Sequence, residues 1–423
     1  FRMAAVHSNG DVEMSRPPLD PPMAECGIPT RVGPTAIRIP LGHPPVVLSL
    51  PGGRELATKA LAHLGWRLGS VSLKKFQNGE ISVKVEETVT NADVYIVHGR
   101  NELELETNFA IMQLMLLIDA VKGESPYRLT VVLPCLDYAR QDRRLVAGEA
   151  IPPKLLLRCM KTAGADRFLS VDLHNQAEAA FSPVGTVLDE LCSDKYLAHF
   201  LRRNVANFSQ DRMVVCATDG GGLKFTRRMA DELRVGFMMV DRFRKKVGGV
   251  GELKLIADAD PESIDAIVVV DDMFDTCGNL SGVCVALHEF APAAKLYAIG
   301  THGYFSADAH KSIKKLVESC NLEWIAVTNS VDQTAALQRF DAIGLRDRLL
   351  VIDISKLLAG AIIRVHLGHS VNLPRFRNLC PSEQDPVLQE STHVLQQQYT
   401  HLLGVQEASF GDGLYHKRPK TQD

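Results

Sequence analysis

The sequence lacks paired cysteines, long apolar runs and a net charge of any size. Its nine cysteines include no Cys-x-x-Cys pair, so their spacing indicates neither a zinc site nor a disulfide framework. We interpret them as free thiols in a reducing compartment, which predicts a cytoplasmic protein. No stretch approaches the ~18 apolar residues that a membrane span requires, so no membrane association is expected. A formal net charge of −3 gives no overall attraction to nucleic acid.

The domain organisation follows from length and from shifts in composition. The 423 residues suit two domains with additional terminal segments. Residues 1–44 are rich in proline, glycine and small polar residues without a sustained period, which predicts a disordered extension. Residues 377–423 form a polar, glutamine-rich tail.

The segment between these ends alternates short apolar runs with helical patterns. This alternation indicates an α/β fold in which mainly parallel sheets are covered by helices on both faces. Ten predicted strands are many for one sheet, so we expect two α/β domains, at 45–192 and 193–376. The predicted strands are 46–50, 94–98, 129–133, 168–173, 213–217, 237–240, 267–270, 296–301, 324–328 and 349–352.

The most informative stretch is an apolar strand followed by Asp271 and Asp272, a short turn and a helical pattern. Ligands of open α/β sheets bind at the C-terminal ends of strands, and a helix N-terminus binds phosphate. Thr276, Gly278 and Asn279 would therefore line an anion-binding turn. The adjacent carboxylates suit sugar hydroxyls or a magnesium ion. The alternative is a solvated acidic turn, which the long and particular order of residues disfavours.

Other strand ends carry polar residues with less specific patterns. A loop with three arginines and Gln141 follows the strand at 129–133 and suits a polyphosphate, although a solvated basic loop fits as well. His174 and Asp219 also follow strands, and a lone histidine of this kind is more often structural than a ligand. A second cationic cluster at 241–246 precedes a glycine-rich stretch, with a plain basic surface loop as the alternative.

Together these segments resemble the ribose-phosphate diphosphokinase family, class I type, which makes phosphoribosyl diphosphate (PRPP) from ribose 5-phosphate and ATP. The resemblance covers 46–376 and rests on five motifs in the expected order. They are Lys-Phe-Gln-Asn-Gly-Glu at 75–80, Tyr-Ala-Arg-Gln-Asp at 138–142, Asp-Leu-His at 172–174, Asp-Gly-Gly at 219–221 and Asp-Asp-Met-Phe-Asp-Thr-Cys-Gly at 271–278. It implies two type I phosphoribosyltransferase-like domains with the active site between them.

The resemblance also implies a role for each motif residue. Those implied to bind ATP are Phe76, Asn78, Glu80, Arg140, Gln141 and Asp142. Those implied to bind ribose 5-phosphate are Asp219, Asp271, Asp272, Asp275, Thr276, Cys277, Gly278 and Asn279. The implied Mg²⁺ ligands are His174 and Asp219, and the implied catalytic residues are Arg242, Arg244 and His174.

Several positions depart from the family pattern. Arg242 stands where the family has its catalytic lysine, Asn279 replaces a threonine, and the segment 148–154 lacks an arginine that binds nucleotide or effector. These changes leave open a low-activity or inactive regulatory paralogue in a hetero-oligomer. The retained ligand set favours an active synthetase, and the Tyr-Ala-Arg-Gln-Asp motif disfavours a simple phosphoribosyltransferase.

The resemblance finally implies partners beyond the substrates. Family members assemble as homo-oligomers, typically hexamers with shared sites, and respond to inorganic phosphate and ADP. We therefore expect a homo-oligomer, or a hetero-oligomer with paralogues, with phosphate and ADP as effectors.

Overall fold

The computed structural model describes residues 43–100, 106–243, 252–257 and 260–371. The predicted tail at 377–423 and nearly all of the predicted extension at 1–44 lie outside these residues, as does Arg244. Side chains at 241–243 are not described either.

The first half of the chain builds a five-stranded parallel sheet and a separate hairpin. In the sheet the strand order is β1-β4-β5-β6-β7, whereas β2 and β3 pair only with each other, antiparallel. The strands are β1 (Pro45–Ser49), β2 (Val71–Lys75), β3 (Ile81–Val85), β4 (Asp93–Val97), β5 (Arg128–Leu133), β6 (Arg167–Val171) and β7 (Leu188–Leu191). The helices are α1 (Arg54–Leu64), α2 (Thr107–Gly123) and α3 (Pro152–Ala163).

The second half builds a seven-stranded sheet in the order β10-β9-β8-β11-β12-β13-β14, in which only the edge strand β10 is antiparallel to its neighbour. The strands are β8 (Met213–Ala217), β9 (Gly236–Phe243), β10 (Glu252–Ala257), β11 (Ala266–Phe274), β12 (Lys295–Gly303), β13 (Leu322–Thr328) and β14 (Leu349–Ile352). The helices are α4 (Asp194–Asn204), α5 (Leu223–Leu233), α6 (Gly278–Phe290), α7 (Ala309–Ser319), α8 (Thr334–Asp341) and α9 (Ser355–His366).

Strand β11 shows why the sequences of the central strands are continuous apolar runs. Ile267 and Val269 pack in the core formed with α6, α7 and α8, whereas Val268 and Val270 pack in the core formed with α4 and α5. Successive side chains of a strand point to opposite faces, so a sheet covered on both faces buries every position. The expected α/β fold with mainly parallel sheets flanked by helices is thereby confirmed.

The last described helix, α9, packs against α1 of the first half. A buried polar cluster fixes it there. Asp93 accepts hydrogen bonds from Arg128 at 2.7 and 2.8 Å and pairs with His366 of α9 at 2.8 Å. Arg128 also donates to the carbonyl of Val365 at 2.8 Å. The chain therefore returns to its first sheet after completing the second.

The ten predicted strands are all present, most with ends shifted by one to three residues, and the largest difference from the prediction is at β11. Asp271 and Asp272 lie within β11 rather than after it, because the strand continues to Phe274. The reason is its neighbour β12, which is equally long and keeps pairing Asp271 with Gly300 and Phe274 with Gly303. None of the helices in the described ranges has the length and apolar character needed to span a membrane.

Candidate active site

The C-terminal ends of strands from the two sheets face each other across a polar seam. Asp172, directly after β6, accepts a hydrogen bond from Thr301 of β12 at 2.7 Å. The Asp172 carbonyl lies 3.2 Å from Nε2 of His302. Cys135, beyond the end of β5, contacts the hydroxyl of Tyr304 at 3.0 Å. Because ligands of α/β sheets bind at such strand ends, this seam is the expected place for a site.

One cavity in the seam, of about 480 Å³, is lined by carboxylates together with arginine and lysine side chains. It is lined from the first sheet by His174 and Arg140, and from the second by Asp219, Asp271, Asp272 and Asn279, among other residues. Four strand ends and one helix start thus bring together residues that are distant in sequence. Five of these six residues follow the C-terminal part of a strand or lie within it, as the sequence predicts.

The two adjacent aspartates of β11 have different environments. Asp271 accepts a hydrogen bond from Thr218 at 2.7 Å, and burial together with the charge of Asp272 raises the pKa of Asp271 well above its usual value. Burial alone would also raise the pKa of Asp272, but its hydrogen bond to His174 lowers that pKa instead. Two carboxylates that close together do not ionise equally, so Asp272 carries the negative charge first.

His174 faces this ionised carboxylate. Its Nδ1 lies 2.7 Å from Oδ2 of Asp272, 98 residues along the chain. The hydrogen bond to Asp272 raises the pKa of His174, although partial burial works against its charge. With Nδ1 held in this way, Nε2 remains the nitrogen that can meet a ligand.

A second cavity, of about 410 Å³, adjoins the first and is lined by residues such as Arg140, Gln141, Asp275, Tyr304 and Ser306. Arg140 lines both cavities and donates to Asp275 at 2.6 Å. Ser306 donates to the other oxygen of Asp275. Burial would raise the pKa of Asp275, but the hydrogen bonds from Ser306 and Arg140 bring it below its usual value. Asp275 is therefore an anion that joins the arginine loop to the turn after β11.

The turn between β11 and α6 has the shape of an anion site. Cys277 precedes the helix with a φ of +60°, in the left-handed region that few residues with a side chain adopt. Its side chain is buried, whereas Thr276, Gly278 and Asn279 are exposed. No side-chain hydrogen bond caps the start of α6, so its first N–H groups are available to an anion. Burial raises the pKa of the Cys277 thiol to about 12, which keeps it protonated and unreactive.

The predicted adenine-binding residues lie elsewhere. Phe76, Asn78 and Glu80 form the turn between β2 and β3, where the N–H of Phe76 donates to the carbonyl of Glu80 at 2.8 Å. Phe76 is exposed by 43%, a high value for an aromatic side chain, and its ring contacts only the Lys74 ammonium group, 5.0 Å from the ring centroid, among the ring contacts of the described residues. The described structure does not bring this turn to either cavity.

The remaining predicted residues divide into two groups. Asp142 lines neither cavity; it is buried and accepts hydrogen bonds from Asn175 at 2.7 Å and Arg143 at 2.9 Å, which fixes the loop after His174. Arg242 lies in β9 opposite Leu253, but its side chain is outside the description, and Arg244 is outside the described residues. The roles of Arg242 and Arg244 stay predictions.

The donor atoms of the first cavity are of the kind that magnesium binds. Mg²⁺ prefers oxygen ligands and is commonly held by one or two carboxylates together with phosphate oxygens. Asp219, Asp271 and Asp272 supply such oxygens around one open cavity, so the donor types present fit the ion. Among the described residues, the ligand atoms that converge within 4.8 Å are instead those of Asp172, Glu190 and Cys192. His174 adds a nitrogen, which is a less usual donor for Mg²⁺.

Sequence reasoning missed several residues of the seam. Glu178 has no exposed surface, and burial raises its pKa to about 7. Arg100, Tyr304 and Ser306 line the second cavity. The one available signal for the last two is their position just after β12, since polar and aromatic residues after a strand end are candidates in this kind of fold.

Comparisons with known proteins agree with this architecture. Residues 46–164 match the family model described as the N-terminal domain of ribose phosphate pyrophosphokinase. Residues 253–376 match the model described as the phosphoribosyl synthetase-associated domain. Together the two models match more than half of the chain.

Matches to solved structures differ in how much of the chain they cover. Phosphoribosylpyrophosphate synthetase from Mycobacterium smegmatis superposes with a TM-score of 0.65 at 28% identity, over 76% of this chain and 98% of that one. Adenine phosphoribosyltransferase from Trypanosoma brucei matches 33% of this chain and 67% of its own length, with 16% identity and a TM-score of 0.25. The enzyme from Saccharomyces cerevisiae matches 28% of this chain and 72% of its own length, with 19% identity and a TM-score of 0.23.

Proposed function

The chain belongs to the ribose-phosphate pyrophosphokinase family, and on that premise we propose that it is an active synthetase that makes PRPP and AMP from ribose 5-phosphate and ATP. The observation that carries the proposal is the seam itself. A cavity lined by carboxylates and cations adjoins a second cavity lined by Arg100, Arg140 and Gln141, and Arg140 belongs to both. A sugar phosphate and a polyphosphate can therefore bind side by side.

In the proposed reaction the anomeric hydroxyl oxygen of ribose 5-phosphate attacks the β-phosphorus of ATP. The new bond joins that oxygen to the β-phosphorus, the bond from the β-phosphorus to the α,β-bridging oxygen breaks, and AMP leaves with that oxygen while the hydroxyl proton is released. Such transfers depend on in-line positioning and on neutralising charge on phosphate oxygens, so no protein nucleophile is required.

Each group of residues has a task in this proposal. Asp271 and Asp272 accept hydrogen bonds from the ribose hydroxyls, and the N–H groups at the start of α6 hold the 5-phosphate. Arg140 and Gln141 bind phosphate oxygens of ATP. Arg242 and Arg244 contribute cations close to the transferred group.

His174, Asp219 and the β11 carboxylates would hold Mg²⁺. The ion, when bound, neutralises charge on the phosphate oxygens of ATP. His174 keeps Nε2 directed to the ligand because Asp272 holds Nδ1 at 2.7 Å.

The exposed turn of the β2–β3 hairpin supports an oligomeric site. Phe76, Asn78 and Glu80 line neither cavity of their own chain. If they bind adenine, as the family resemblance implies, they do so in a second copy or in a paralogue. A shared site is consistent with a cytoplasmic homo-oligomer or hetero-oligomer under control by phosphate and ADP.

One set of observations favours a second candidate function, a regulatory paralogue with little or no turnover. Arg242 replaces a compact lysine charge by a planar guanidinium, and Asn279 replaces a threonine at the exposed start of α6. Both changes fall where the transferred group and the 5-phosphate would bind.

A turnover assay separates the two candidates. The purified full chain is incubated with ATP, Mg²⁺ and ribose 5-phosphate, with and without inorganic phosphate, and AMP and PRPP are measured. We expect sugar-dependent AMP in step with PRPP, and a loss of at least ~100-fold in Asp271→Ala. The matched control is Asp308→Ala, which removes an exposed aspartate and should retain full activity. Binding of both substrates without turnover would establish the regulatory paralogue instead.

A further inference from the structure

A third cavity, of about 330 Å³, lies at the other end of the seam between the two sheets. Its walls come from the ends of β1 and β4 on one side and of β13 and β14 on the other, including Gly53, His98, Gln333 and Val351. It shares none of its lining residues with the two cavities of the candidate active site. The strand-end position is again the one that α/β sheets use for ligands.

Two buried side chains of this cavity have an unsatisfied polar atom. His98 is 2% exposed and Gln333 is 4% exposed. Within the described ranges, neither Nδ1 of His98 nor Oε1 of Gln333 has a hydrogen-bond partner. Leaving a buried polar atom unpaired costs about 1–3 kcal/mol, so two of them around one cavity indicate that something else satisfies them.

The surroundings fix both atoms as acceptors. Nε2 of Gln333 donates to the carbonyls of Gly303 at 2.8 Å and Val331 at 3.0 Å, which prevents the amide from reversing. Nε2 of His98 lies 3.1 Å from the carboxylate of Asp137 and must donate to it, which leaves Nδ1 as an acceptor in the neutral ring. A ligand that satisfies the pair must therefore donate hydrogen bonds, as an ammonium group does.

The rim of the cavity offers one cation without a partner. Of its four charged residues, Glu55 and Lys59 pair with each other at 2.7 Å, and Asp332 accepts the N–H of Thr334 at 2.7 Å. Arg346 is exposed and has no ion pair within the part of the chain that the structure describes. A free guanidinium binds a carboxylate through two parallel hydrogen bonds.

The wall between these polar ends is apolar. Leu56, Leu337, Leu349 and Leu350 line it, so it suits a short hydrocarbon segment rather than a second charged group. The lining of the cavity thus combines two unpaired polar side chains, an apolar wall and a guanidinium.

From this arrangement we propose that the cavity is a second ligand site, which binds a small zwitterion of amino-acid size. The ammonium group donates to His98 and Gln333, the carboxylate accepts from Arg346, and the carbon chain lies against the leucines. This site does not depend on the proposed synthetase activity, because it uses none of the residues assigned to that reaction.

Calorimetric titration of the full chain with each of the common free amino acids tests the proposal. We expect at least one to bind with a Kd of roughly 1 mM or lower, and its analogues without the amino group or without the carboxylate to bind at least ~10-fold more weakly. Arg346→Ala should weaken binding by at least ~10-fold, and Arg346→Lys by less. Leu337→Trp should abolish binding by filling the cavity.

Arg203→Ala provides the control, since Arg203 is an exposed arginine of α4 that does not line the cavity. It should bind the amino acid as the unaltered chain does. The proposal is overturned if no amino acid binds up to about 10 mM. It is equally overturned if binding occurs but is unchanged in Arg346→Ala, which alters an exposed side chain and should leave the fold intact.

Discussion

Glu178 has a carboxyl group in a buried environment that disfavours its ionised form. It has no exposed surface, and burial raises its pKa to about 7, despite the nearby charge of His174, which lowers it. Its Oε1 has no partner among the described residues. In the folded chain the neutral form is therefore favoured over a pH range in which the unfolded chain is already ionised.

Replacing this acid should remove a pH dependence of stability. The pKa of Glu178 is near 4.5 in the unfolded chain and about 7 in the folded chain. The folded chain is therefore most stable, with respect to this group, below pH 4.5. That stability is lost as the pH rises from 4.5 to about 7. The loss is of order 2–3 kcal/mol. We expect Glu178→Gln to lower the pH dependence of the free energy of unfolding between pH 5 and pH 8, measured by urea unfolding. Equal pH dependence in both proteins would contradict the assignment.

The sequence predicts some residue environments of the site and not others. Asp219, Asp271 and Asp272 could be predicted because each lies at or next to the end of an apolar strand, and strand ends of one sheet converge. His174 follows a strand of the other sheet, and only the family resemblance implied its role. Glu178 could not, because its burial is set by the packing of a short turn that no periodicity reveals. Nor could the pairing of Asp275 with Arg140, which are 135 residues apart and meet only when the two sheets face each other.

At the scale of the elements, α9 is attached to the first sheet through a buried charged group. Asp93, nearly unexposed at 1%, carries a negative charge between Arg128 and His366. Burial opposes that charge, but the hydrogen bonds from His366 and Arg128 lower the pKa of Asp93 below its usual value. A buried charge of this kind is tolerated only while its partners remain.

Removing that carboxylate should destabilise the chain strongly. We expect Asp93→Ala to lower the free energy of unfolding by about 3–5 kcal/mol, because it leaves the partly buried Arg128 without its counter-charge. Asp119→Ala, which alters an exposed aspartate of α2, should change the free energy of unfolding by less than ~0.5 kcal/mol. Denaturant unfolding at pH 7 measures both.

The pH response of the same group has a definite sign. A lowered folded pKa means that Asp93 contributes its stability above the unfolded pKa, near 3.9. That contribution is lost as pH falls through the lower folded value. In acid, Asp93→Ala and the unaltered chain should therefore converge in stability, and a constant difference down to pH 2 would argue against the ion pair.

Elements differ in how well sequence pattern predicts them. The ten predicted strands are central or apolar enough to stand out. The four that were missed are β2, β3, β7 and β10. In β2 and β3 every second residue is exposed and none is buried, β7 has an Asp-Glu pair in the middle, and β10 is an edge strand with polar residues. Their polar composition is typical of loops, and only pairing makes them strands.

At the scale of the whole molecule, the proposed site depends on two chains if the hairpin turn at Phe76 binds adenine. We expect Phe76→Ala to lose most turnover while its thermal unfolding stays unchanged, because the side chain is 43% exposed and a base–aromatic stack contributes about 1–3 kcal/mol. Steady-state rates at varied ATP concentration measure the turnover, and a melting curve measures the thermal unfolding.

Mixing variants tests whether the turn acts in a second copy. Phe76→Ala and Asp271→Ala should each be weak, but a mixture refolded together should recover up to about a quarter of the turnover, since one site in four combines two intact halves. A mixture no more active than its components would mean that each chain uses its own hairpin.

The return of α9 to the first sheet has a consequence for synthesis on the ribosome. Asp93 and its partner His366 are 273 residues apart, and translation at about 5–20 residues per second separates their emergence by at least ten seconds or so. Throughout that interval the first sheet has its aspartate and Arg128 but not the helix that covers them. The nascent first domain is therefore a substrate for chaperones until the second has been made.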